Sequence, residues 1–260
     1  MIQDLPPELQ LECLKWLGAA PGRDWLHCCL TSKFLLGLCH DAALWRYFCR
    51  QLGQAEGPEH TDEPVKDWKQ HFLHCIRNHL ELFEDCQPET LSLSQDKLTV
   101  LQQSSAHGHI RCRSRHKWAS GKHYFEVTIK DTHNQIFIGI LPVATAITAR
   151  SIVGHGTAAG WSLIPYTGML LGNGGKQKIE PLRSVVLEVG DVVGVYLDVD
   201  AGDLLYFHNE AYLVGLQGCP DIREQKPYYA AASLMFRHEE ATFRFPPSIP
   251  SFVQQHLNNS

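Results

Sequence analysis

Apolar residues recur along this chain at two different periods, and the period changes once. In the first part they fall three and four apart: Leu9, Cys13, Leu14 and Leu17, then Leu26, Cys29, Leu30, Phe34, Leu35 and Leu38, then Leu44, Trp45, Phe48 and Leu52. Side chains so spaced share one face of an α-helix, so residues 4–52 are predicted as three helices. Asp4 stands where a helix cap is wanted, and Pro6 or Pro7 where a missing amide is tolerated. Gly18, Pro21 and Gly22 end the first helix, since both residue types oppose its continuation. Residues 54–64 are polar, acidic and rich in breakers, hence a loop. Helical spacing returns over 65–83 with Trp68, Phe72, Leu73, Ile76, Leu80 and Phe83, which predicts a linker helix.

From about residue 89 the period falls to two. Candidate strands are 90–93, 98–101, 123–130, 135–140, 160–163, 169–171, 192–198, 203–208, 228–236 and 241–245. Many short strands split by Gly, Pro and Asp turns predict an antiparallel β-sandwich, and Asp200-Ala201-Gly202 marks a hairpin between two of them. The expected fold is α+β and multidomain: a small helical domain over 1–52, a loop and linker helix over 53–88, a sandwich over 89–250 and a tail over 251–260.

Composition narrows the function more than the fold. A net charge of −5 gives no support for binding nucleic acid or an anionic membrane. No run approaches the roughly 18 apolar residues of a membrane span. Asp4 and Glu8 stand where a secretory signal would carry basic residues, so secretion is not expected. The nine cysteines are odd in number and include no CxxC pair. They read as reduced thiols serving as small hydrophobes in a cytoplasmic or nuclear protein.

Ordered motifs carry a family resemblance in each half. Leu5-Pro6, Glu8-Leu9, Leu14, Leu17, Leu30-Thr31-Ser32-Lys33 and Leu44-Trp45-Arg46 resemble an F-box. Phe34-Leu35 follows Lys33 where many F-boxes place a tryptophan, a swap that keeps an apolar knob and should repack. The second half looks like a SPRY domain. Its marks are Ser120 to Val127 (SGKHYFEV), Ile138-Gly139-Ile140, Gly160-Trp161-Ser162-Leu163, Gly190 to Val195 (GDVVGV), Gly202 to Asn209 (GDLLYFHN) and Tyr228 to Ser233 (YYAAAS).

The F-box resemblance implies docking to a Skp-family adaptor and, through it, to cullin and RING subunits. Such docking is helix-in-groove association dominated by a few apolar anchors, here Leu5, Pro6, Leu9, Leu14, Leu17, Leu44 and Trp45. The competing role for Leu14 and Leu17 is packing of the helices on one another, and Trp45 could serve both ends. The SPRY resemblance implies recognition of a protein target by loops on a rigid frame: 102–118, 141–159, 165–183 and the turn near Phe236. Target-binding candidates are Arg113, Arg115, Trp118, Ile152, His155, Tyr166, Met235, Phe236 and Arg237. The basic run Arg111 to Lys117 suits an acidic target segment, or is simply a solvated loop. Trp118 is either an anchor beside it or packing beneath it. Some SPRY domains hold an Asn-rich peptide with an aromatic and a proline residue; Ala149 and Ser104 stand at those places, so that specificity is not assumed.

Catalytic patterns fail on inspection. Gly172-Asn173-Gly174-Gly175-Lys176 lacks the leading glycine of a phosphate loop, where Leu170 stands, and has Gln177 where Ser or Thr is needed. The Asp198 to Asp203 run lacks the later bidentate glutamate of a calcium loop, that place being Asn209. His71, Cys75 and His79 share a helix face without a complementary ligand pair. Glu239-Glu240 reads as a turn. No catalytic residue, cofactor, metal, nucleic acid or membrane partner is therefore predicted. The expected function is that of a substrate receptor in an SCF-type ubiquitin ligase, the alternative being a scaffold that joins partners without ubiquitin transfer.

Overall fold

Strand alternation over the second half places every other side chain in one interior, and two sheets close over it. The computed structural model describes residues 80–82, 90–94, 96–103, 110–131, 136–143, 153, 160–164, 167–172, 177–181, 185–246 and 248–259. The helices expected over 4–52, and the linker helix up to residue 79, lie outside them. Among the described residues the first sheet runs, edge to edge, β1 (Leu80–Leu82), β4 (Ile110–Ser114), β13 (Tyr228–Leu234), β6 (Phe137–Pro142), β7 (Trp161–Leu163), β8 (Leu170–Gly172) and β9 (Gln177–Ile179). The second runs β12 (Ala211–Leu216), β11 (Asp203–His208), β10 (Val192–Asp198), β5 (Lys122–Asp131), β14 (Glu240–Arg244), β3 (Thr99–Gln102) and β2 (Leu91–Leu93). Neighbours in both are antiparallel.

One core joins them. Phe125, Val127 and Ile129 of β5 and Val193, Val195 and Leu197 of β10 meet Ile138 and Ile140 of β6, Trp161 and Leu163 of β7, and Ala230, Ala232 and Leu234 of β13. Each large side chain so buried contributes about 1.5–3 kcal/mol. The Trp161 indole lies flat on the backbone of Gly172, where an added Cβ would sit 1.9 Å from the ring, so only glycine admits it. The expected hairpin joins β10 to β11: Asp198 Oδ1 accepts from the amides of Asp200 and Ala201, and Gly202 takes φ 79°.

Four strands and two helices depart from the sequence reading. β1 falls inside the predicted linker helix. Leu80 fits either period, whereas Leu82, two residues on, fits only a strand's, and β1 pairs with β4. β4 occupies part of the predicted 102–118 loop, because Arg111 and Arg113 alternate with Cys112 in what looked like a solvated basic run. β9 and β12 were likewise unassigned. Beyond α1 (Pro220–Glu224), the predicted tail is a helix, α2 (Ser251–Asn259). Val253 is fully buried in a second apolar cluster with Tyr124, Tyr196, Leu205 and Phe207, on the side of the second sheet away from the core. The Phe252 ring meets Phe207 edge-on at 5.4 Å and Tyr124 at 6.2 Å.

Candidate functional site, the outer face of the first sheet

Because Cys112, Ala230, Ala232, Ile138 and Ile140 point inward, their neighbours along the strands point out. On β4 and β13 this brings Arg113 beside Tyr229 and opposite Ala231. The Arg113 guanidinium lies 4.7 Å above the Tyr229 ring, an attractive cation–π arrangement. Tyr229 continues into a small apolar cluster with Leu141, Ala231 and Val153. Val153 is seated there by polar contacts: its amide donates to Ser233 Oγ at 3.2 Å and its carbonyl accepts from Ser162 Oγ at 2.6 Å. Arg115 pairs with Glu81 of β1 at 3.5 Å, with both side chains nearly half exposed. An ion pair of that kind orients charge more than it stabilises.

The same face runs toward the turn between β13 and β14. Met235 and Phe236 are half-buried there, and Arg237 and His238 are exposed. The turn is built with care. Glu239 is fully buried, and its Oε2 accepts from the backbone amides of Met235 at 2.6 Å and Phe236 at 3.0 Å. Gln102 clamps its base: its carbonyl accepts from the His238 amide and its amide donates to the Glu239 carbonyl, both at 2.9 Å. His238 closes the reversal at φ 73°. The Gln102 carboxamide itself is buried with neither its nitrogen nor its oxygen hydrogen-bonded.

The structure sorts the candidate residues. Arg113, Met235, Phe236 and Arg237 belong to one face and its rim, with Arg113 four residues along the ladder from Met235, about 13 Å. Trp118 does not join them. It bridges Tyr228 at the opposite end of β13, about 23 Å from Met235 at strand rise. Only 4% exposed, it stacks on His123 at 4.8 Å and leans on Phe125. It packs beneath the surface and is not a binding anchor. Arg115 lies toward that end as well. Ile152, His155 and Tyr166 lie outside the described residues, as do Leu5, Pro6, Leu9, Leu14, Leu17, Leu44 and Trp45. Sequence reasoning missed Tyr229, although alternation against Tyr228 would have turned it outward. It also missed Glu239 and Gln102, whose burial no local pattern signals.

Among the described residues no group of His, Cys, Asp or Glu is placed to hold a metal ion, and no helix is long and apolar enough to cross a membrane. The family models decide the assignment: the SPRY domain matches residues 122–248 and the F-box-like domain residues 2–51. The chain is an F-box/SPRY protein. Similar solved structures include the SPRY domain of human HERC1 (16% identity, TM-score 0.48, covering 63% of this chain and 99% of that one). A human SPRY domain matches at 13% identity and TM-score 0.45, covering 62% and 98%. The TRIM65 PSpry domain matches at 16% and 0.48, covering 67% and 98%. No curated protein matches the chain. Strands β1 to β4 and helix α2 lie outside the matched SPRY span, yet Leu80, Leu91, Val100 and Cys112 fill the same core. Two interaction modules in one chain make this F-box/SPRY protein a protein-interaction adaptor.

Proposed function

We propose that this chain is the substrate-recognition subunit of an SCF-type ubiquitin ligase. Its F-box-like residues would hold a Skp-family adaptor, and its SPRY sandwich would hold a protein target. The observation that carries the reading is the joining of an F-box-like match over residues 2–51 to a SPRY match over 122–248. One such module recruits and the other selects. The chain needs no chemistry of its own for this. A receptor accelerates transfer by raising the target's effective concentration beside the ubiquitin-loaded enzyme. The target-facing surface is the outer face of the first sheet, where Arg113 and Tyr229 lead to Met235, Phe236 and Arg237. Apolar side chains beside two arginines suit a segment bearing an apolar or aromatic residue next to an acidic one. The buried thiol of Cys219, outside any disulfide, suits work in the reducing cytoplasm or nucleus.

The test separates the two ends. Replacing Leu9 and Trp45 together by aspartate is expected to abolish capture of the Skp-family adaptor and cullin while the sandwich stays folded by circular dichroism. Undiminished co-purification of the adaptor would overturn the assigned docking surface. Capture of the adaptor without cullin from wild-type chain would favour the scaffold reading.

A further inference from the structure

We infer that Glu239 is a positioning residue that sets the turn of Met235, Phe236 and Arg237 in the form a target recognises; this rests on that turn being part of the target-binding surface. A carboxylate is kept fully buried only where its oxygens are served by donors. Here one oxygen draws in two consecutive backbone amides, those of Met235 and Phe236. Convergence of neighbouring amides on a single anionic oxygen fixes the peptide planes on both sides of Met235, as a helix cap fixes a first turn. The Glu239 amide returns a bond to the Phe236 carbonyl at 3.2 Å, so the loop is closed from both ends of the residue.

The β3 clamp at Gln102 holds His238 and Glu239, but not the residues that face outward. Their backbone conformation is held by the Glu239 carboxylate. Loss of that group leaves β13 and β14 paired to their own neighbours in different sheets, so the turn would loosen without unfolding either sheet. Recognition then suffers through the entropy of reordering the turn on binding.

The experiment uses the full chain in three variants. Glu239→Leu removes the acceptor, Glu239→Gln keeps an uncharged acceptor of the same shape, and Glu240→Gln serves as the neighbouring control. Amide hydrogen exchange at Met235 and Phe236 is read alongside capture from cells, scored on the partners that a Phe236→Ala/Arg237→Glu variant loses. Glu239→Leu should speed exchange at both amides by about tenfold or more and lose that same partner set while keeping the Skp-family adaptor. Glu239→Gln should restore part of both effects, and it carries the test alone if the leucine variant does not fold. Faster exchange with full retention of the set would make Glu239 structural only and overturn the inference, as would unchanged exchange. If the turn variant loses no partner, the binding surface itself is wrong. That failure shows separately, because the exchange measurement does not depend on any target.

Discussion

His123 illustrates how one side chain can make this fold pH-sensitive. Its ring stacks on Trp118, and Nε2 donates to the Ser120 carbonyl at 2.8 Å. Burial, helped by the nearby His116, holds its pKa below the ordinary 6.5, outweighing the Ser120 carbonyl, Asp198 and Asp200, which favour the charged form. In the unfolded chain the ring protonates at the ordinary value, so between the two pKa values the unfolded state binds more protons. Stability from this residue is therefore complete above about pH 6.5 and is lost as pH falls through the folded pKa. Thermal melts should show the midpoint dropping as the pH falls below about 6.5. His123→Phe, which keeps the stack, should flatten part of that drop. An unchanged slope in the variant would remove His123 as its source. At Trp118 the sequence left two roles open, surface anchor or packing, and contact with His123 and Phe125 settles it for packing.

Among elements, the most consequential departure is α2. Phe252, Val253, His256 and Leu257 form an apolar stripe, yet nine residues at a chain end are too short to fold alone. The helix forms because a sheet face awaits it. His256 stacks on Tyr212 at 4.2 Å and meets Phe207 edge-on at 5.7 Å, extending the contact beyond Val253. Deleting residues 250–260 would strip the cover from Tyr124, Tyr196, Leu205 and Phe207. At about 1.5–3 kcal/mol for each of the large apolar groups involved, the loss should exceed about 3 kcal/mol in urea denaturation, with new binding of a hydrophobic dye. A truncated chain with wild-type stability and no dye binding would show that α2 adds nothing. Strands carrying clean alternation, such as β5 and β10, were legible from sequence. β4 was not, because its basic residues read as a solvated run until Cys112 was seen in the core and Arg113 over Tyr229.

At the scale of the whole molecule, a boundary between two units falls after Arg77, and the sandwich begins at Leu80. The described residues from Leu80 onward hold a core of their own, so a chain lacking residues 1–77 should unfold in one cooperative transition and still retain the partners lost on altering Phe236 and Arg237. It should fail to bring them to cullin, and their half-life in cells should rise. A truncated chain that melts without a cooperative transition would contradict a sandwich that folds by itself. The sequence by itself determined the two modules, their order, the sandwich class and most of its strands, because periodicity and short motifs are local properties of a chain. Only the tertiary structure decided which arginine faces a tyrosine, that Trp118 is covered, that the last residues pack as a helix and that Glu239 holds a turn. Those are contacts between residues far apart in sequence, or matters of burial. A side chain's surroundings are set by the strands that happen to lie beside it, and no local pattern records them.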